Sequence, residues 1–258
     1  MTWGICLERR SFAVLEDSTM NLRVATVNLM APAGPFFAVG ERVDALADAL
    51  VRQSPDVLCT QEAIFESIGS LLRAFPEYEV LGRGRWANGD GIQNAILYRP
   101  DRFCLQSFGH FWHSKTPEKP GSKLPLMGSA RVATWATFKT STDSLTVLNL
   151  HFSHLCRRQQ ARLILERLST LPRPWIVTGD FNSTPWPLWS AHRILATQLH
   201  DLAGSSGATW NAGLGLPIAR LDWILGSSEV RSKSARVLRT EGSDHWPVVA
   251  DLEVRSGR

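Results

Sequence analysis

Short apolar runs recur along this chain, and one after another closes on a residue suited to chemistry. RVATV ends in Asn28, VLCTQ in Glu62, TVLNL in His151 and WIVTG in Asp180. Such ends cannot be buried one by one, because a buried charge needs a partner. They are expected to gather at one edge of the sheets. Asp222 inside RLDWIL and the adjacent Asp244 and His245 in GSDHWPV extend the set. Converging, it holds at least four carboxylates with Asn28, Asn182 and two imidazoles. Acids at that density repel one another unless a cation neutralises them. A hard, oxygen-liganded ion is expected, Mg²⁺ with Mn²⁺ as a substitute, and zinc is not, since no Cys/His cluster has zinc spacing.

The runs between these ends read as mixed α/β. A strand at 22–28, a helix at 39–52 with Val43, Leu46, Ala47 and Leu50 on one face, and a buried strand at 56–60 suggest a β-α-β opening. A helix near 64–74 follows, then strands at 94–98, 103–112, 132–139 and 144–151 with few helices between them, which indicates largely antiparallel sheet. The helix 157–168, a strand at 175–179 and strands at 221–225, 230–238 and 246–253 complete the pattern. No linker or repeat divides it, so a single domain over 20–258 is expected, with 1–19 a leader ahead of it. The apolar share of 44% is enough for a sizeable core, and the net charge of +4 leans weakly toward an anionic partner. Four scattered cysteines without a C-x-x-C pair fit a reduced, cytoplasmic interior. Neither a signal peptide nor an apolar span is legible, so no membrane partner is expected.

Taken alone, Asn28 reads as a strand-ending turn and Glu62 as an acid favoured by a helix N-terminus. The ordered set carries more. Asn28 in TVNLM, Gln61-Glu62, His151 in LNLHFSH, Asp180 and Asn182 in TGDFN, Asp222 in RLDWIL and Asp244-His245 in SDHWP resemble, in order, the signature of the endonuclease/exonuclease/phosphatase superfamily. The match runs from about Leu22 to Leu252. The resemblance implies a DNase I-like, four-layer α/β/β/α sandwich of two mostly antiparallel sheets. It implies that Glu62 and Asn28 hold Mg²⁺ with Asp244 nearby, and that Asp180 and Asn182 orient the attacking water. His245 would be the acid/base, oriented by Asp222. His151, Arg131 and Asn94 would meet the scissile phosphate. FWHSKTPEKPGS, RVATW and TWNAGLG are similar to a bacterial subgroup of unassigned substrate. Two departures stand out. Ile92 occupies the place where many relatives carry a Glu that orients the His, and Ser153 replaces an acid in the subgroup's H-x-D-H.

Trp186 and Trp189 follow GDFN directly and are candidates for stacking a flat group, while Arg83 and Arg85 suit phosphate contacts. The expected function is therefore metal-dependent hydrolysis of a phosphodiester in nucleic acid or a nucleotide. The alternatives are a phosphomonoesterase on a nucleotide, sugar or inositol phosphate, and a non-catalytic binding module. A phospholipase-like member ranks lower, for want of an apolar or amphipathic segment in the sequence.

Overall fold

The computed structural model describes residues 19–31, 39–140, 143–186, 190–204 and 206–255. The expected leader and Trp189 lie outside them, except that Thr19 already belongs to the first strand, opposite Arg255.

Twelve strands and four helices are present among the described residues. In order they are β1 (Thr19–Asn28), α1 (Val39–Val51), β2 (Val57–Ala63), α2 (Phe65–Ala74), β3 (Glu79–Leu81), β4 (Gln93–Tyr98), β5 (Cys104–Trp112) and β6 (Val132–Thr140). β7 (Asp143–His151), α3 (Arg157–Leu168), β8 (Trp175–Asp180), α4 (Ala191–Leu195), β9 (His200–Asp201), β10 (Asp222–Gly226), β11 (Val230–Val237) and β12 (Val248–Arg255) complete the chain. They form two six-stranded sheets, ordered β11-β12-β1-β2-β4-β3 and β5-β6-β7-β8-β10-β9. Only β1–β2 and β7–β8 run parallel, as a strand-helix-strand crossover requires.

Alternation of side chains divides each central strand between two apolar layers. Val24, Val57, Ile96 and Ala250 meet Phe138, Val147, Ile176 and Ile224 between the sheets. The opposite faces of the same strands take the helices. Val43, Leu46, Leu50 and Leu71 pack against Val27, Leu58 and Val249, and Ala161, Ile164 and Leu195 against Leu148, Val177 and Leu225. The layers are therefore α/β/β/α.

Candidate active site

Register assembles the site. β1 and β2 are parallel, with Asn28 opposite Gln61, so both strands deliver their polar ends to one edge. In the other sheet His151 lies opposite Asp180, and β10 opens with Asp222 opposite that same Asp180. Packing of the sheets joins the two edges, where Asn28 Nδ2 donates to Asp180 Oδ2 at 3.1 Å. The loop ahead of β12 adds His245, with Nδ1 at 2.7 Å from Asp222 Oδ2 and Nε2 at 3.9 Å from Asp180 Oδ2.

Backbone irregularities aim the side chains. β2 is bulged against β4 between Thr60 and Ala63, and Glu62 sits in the bulge with φ of 54°. Its Oε2 accepts the Ala31 N–H at 2.8 Å. Asn182 is likewise left-handed, at φ 47°, and its N–H donates to Asp180 Oδ1 at 2.8 Å. Non-glycine residues held in this region are strained and tend to mark functional sites.

With Ile92 in place of an acid, His151 faces Asp180, Glu62 and Asn182. Asn182 Nδ2 donates to Phe152 O at 2.9 Å and to His151 Nε2 at 3.0 Å. Asp180 Oδ2 also stands 3.3 Å from Nε2, while Nδ1 lies 3.8 Å from Glu62 Oε1 without a hydrogen-bond partner. Burial, and then the Arg131 charge, drive this imidazole well below its ordinary pKa, so it is neutral. His245 is the opposite case. Burial pushes its pKa down, but the Asp222 charge and hydrogen bond outweigh burial and raise it. Burial and then Asp222 hold the Asp180 carboxyl above the usual carboxylate range.

Arg131 is half-buried, and its guanidinium lies in the field of Arg85, Glu62 and Asp180; burial lowers its pKa most. Its Nε has no hydrogen-bond partner. Asn94, expected beside the phosphate, donates through Nδ2 across the sheets to Val132 O at 2.6 Å, next to Arg131. Asp244 is half-buried, its carbonyl accepting from Asn211 N at 2.8 Å and its charge raising the pKa of His245. Trp186 is 72% exposed beside a groove of about 600 Å³ that Arg157, Arg158, Leu155 and Asn182 also line.

Several supports had no signature in the sequence. Ser243 Oγ donates to Asn28 O at 2.6 Å and accepts from His245 N at 3.1 Å, coupling β1 to the His245 loop. Arg157 Nη1 donates to Asn182 O. Beneath the site Gln61 Nε2 donates to Asn149 Oδ1 at 2.6 Å, while Asn149 Nδ2 donates to Thr60 O and Ala95 O, a buried link between the sheets. An Asn inside the apolar run LNLH was the one available hint of it.

The donor set fits a divalent cation. Asp180, Asp222 and His245 offer ligand atoms within 4.8 Å of one another, and Asp222 Oδ1 is buried without a partner. A cation would also relieve the repulsion that raises Asp180.

A two-sheet sandwich whose strand ends gather acids, amides and imidazoles at one edge defines the DNase I-like class of folds. The chain belongs to the Endonuclease/Exonuclease/phosphatase family, whose sequence profile matches residues 33–245. Among solved structures, a Bacteroides thetaiotaomicron protein of this family is 28% identical, with a TM-score of 0.83 over 92% of this chain and 99% of that one. The mannosyl-6-phosphatase Bt3783 of the same organism is also 28% identical, with a TM-score of 0.82 over 90% and 99%. Danio rerio TDP2 complexed with a single-strand DNA product shares the fold at 18% identity, with a TM-score of 0.72 over 90% and 98%. No curated protein sequence matches the chain.

Proposed function

We propose that the chain is a Mg²⁺-dependent phosphodiesterase in which water attacks phosphorus. The observation that carries this reading is the 2.7 Å His245–Asp222 pair beside the buried Asp180. Asp222 holds the imidazole through Nδ1 and leaves Nε2 to exchange a proton with water or a leaving oxygen. Asp180, fixed by Asn28 and by the Asn182 N–H, orients the nucleophile together with Asn182. Neutral His151 and charged Arg131 meet the phosphoryl oxygens, and Asn94 acts one step back by fixing the start of β6 beside Arg131. Trp186 meets the rest of the substrate, with Trp189 proposed from sequence alone.

Glu62 and Asn28 would hold the metal, with Asp244 nearby. Asp222 holds His245 through Nδ1 at 2.7 Å, so within the Asp180–Asp222–His245 cluster the imidazole is assigned to proton transfer, while the two carboxylates stay available to a cation. Bound Mg²⁺ offsets charge on the phosphoryl oxygens.

A phosphomonoesterase is the second reading, favoured by the 28% identity to a mannosyl-6-phosphatase. Hydrolysis of an aryl phosphodiester and the matching monoester, each with Mg²⁺ or EDTA in ¹⁸O-water, separates them. Mg²⁺-dependent diester cleavage with the label on the phosphoryl product is expected. Faster monoester cleavage would promote the second reading, and label in the alcohol would exclude attack at phosphorus. Nucleotide and lipid diesters both suit the charge pattern of the centre, and the surface around it separates them.

A further inference from the structure

Ten large apolar side chains stand exposed among the described residues, and eight of them lie on the edge that carries the site. Topology puts them there. β1, β2, β7 and β8 end at that edge, and β4, β6 and β10 begin there. Phe65, 93% exposed, follows β2, while Leu155 follows β7 and Trp186 follows β8. Trp86 lies in the loop ahead of β4, and Leu126, 82% exposed, in the loop ahead of β6. Leu214, Leu216 and Ile218 occupy the loop ahead of β10, which is tied to the site by the Trp210–His245 bridge. The two exceptions are Val51, at the far end of α1, and Phe108, within edge strand β5.

Single exposed apolar residues are ordinary, but a set sharing one face marks a contact surface. Three of these six loops are also basic. Arg83 and Arg85 precede Trp86, Lys115 and Lys119 precede Leu126, and Arg157 and Arg158 follow Leu155. The acids beside them are Glu118, paired with Arg167, Asp90, which accepts from Asn88 Nδ2, and Glu66 next to Phe65. Leu, Phe and Trp interspersed with Arg and Lys are the composition of a face that lies in a lipid headgroup layer. Nucleic acid explains this face less well, because a strand gains from stacking and phosphate contacts that exposed leucines cannot make. No helix among the described residues is long and apolar enough to cross a membrane.

We propose that this edge seats on an anionic lipid surface and presents the centre to phosphoesters borne there. The docking follows from the surface alone, and only the naming of the substrate rests on the phosphodiesterase reading.

The test is co-sedimentation of the full chain with phosphatidylcholine vesicles, with and without phosphatidylglycerol, against the triple variant Phe65→Ser, Leu214→Ser, Leu216→Ser. Thermal melting confirms that the variant is folded. The wild type is expected on the anionic vesicles, less so at high salt, and the variant at least about tenfold weaker. No partition of the wild type, or equal partition of the variant, overturns the proposal. So does a wild type that ignores vesicles but binds a single-stranded oligonucleotide, or self-associates, in a manner the variant loses. A long-chain aryl phosphodiester embedded in the vesicles tests the second half. Faster cleavage than of the soluble ester is expected, and equal rates contradict it. Failure of all hydrolysis sinks the phosphodiesterase reading and leaves the sedimentation result standing.

Discussion

At the scale of single residues, environment assigns roles that residue type does not. Two histidines share one buried centre, yet one is neutral beside Arg131 and the other is held protonated by Asp222. Asp222→Asn keeps the shape and removes the charge, so kcat is expected to fall roughly 10²–10⁴-fold with little change in Tm, read from steady-state rates and a melt. Gly179, before Asp180, has φ of 140°, and a Cβ there would stand 1.9 Å from Leu150 O on β7. Gly179→Ala should therefore cost roughly 2–5 kcal/mol of stability, visible as a large drop in Tm. The ordered polar strand ends were legible in the sequence because each closes an apolar run. The bond from Asn94 to Val132 O was not, since it depends on the approach of two sheets whose strands lie 38 residues apart.

At the scale of elements, most long strands and helices were legible within a residue or two, though β1 begins three residues earlier and β2 ends three residues later than expected, and the β-α-β opening was as expected. β3, α4 and β9, with three, five and two residues, are too short to show a period and exist through pairing or packing alone. Asp251 shows how neighbouring strands are stitched. From β12 it accepts from Arg23 on β1 and from Ser234 and Arg236 on β11. Burial raises its pKa, but these bonds dominate and hold it at about 2. A depressed folded pKa stabilises above the unfolded value of about 4 and loses that contribution as pH falls toward the folded one. The Tm gap between wild type and Asp251→Asn should thus be largest above about pH 5 and close by about pH 2; solvent access limits it to about 1 kcal/mol.

At the scale of the whole molecule, twelve strands among the described residues bring five strand ends and one loop together, and six loops around them form one apolar face, three of them also basic. That face was illegible in the sequence because its members are scattered from Phe65 to Ile218 and share a side only after folding. Ground-level chemistry is a claim about the whole assembly too, since His245 reaches Asp222 and Asp180 only when the loop ahead of β12 closes on the second sheet. The measurement that bears on it most directly is kcat for an aryl phosphodiester with saturating Mg²⁺, wild type against His245→Ala, with both proteins shown folded by their melts. A loss of roughly 10²–10⁴-fold is the predicted result; a variant that hydrolyses the ester as fast as the wild type would contradict the assignment of this centre as the site of catalysis.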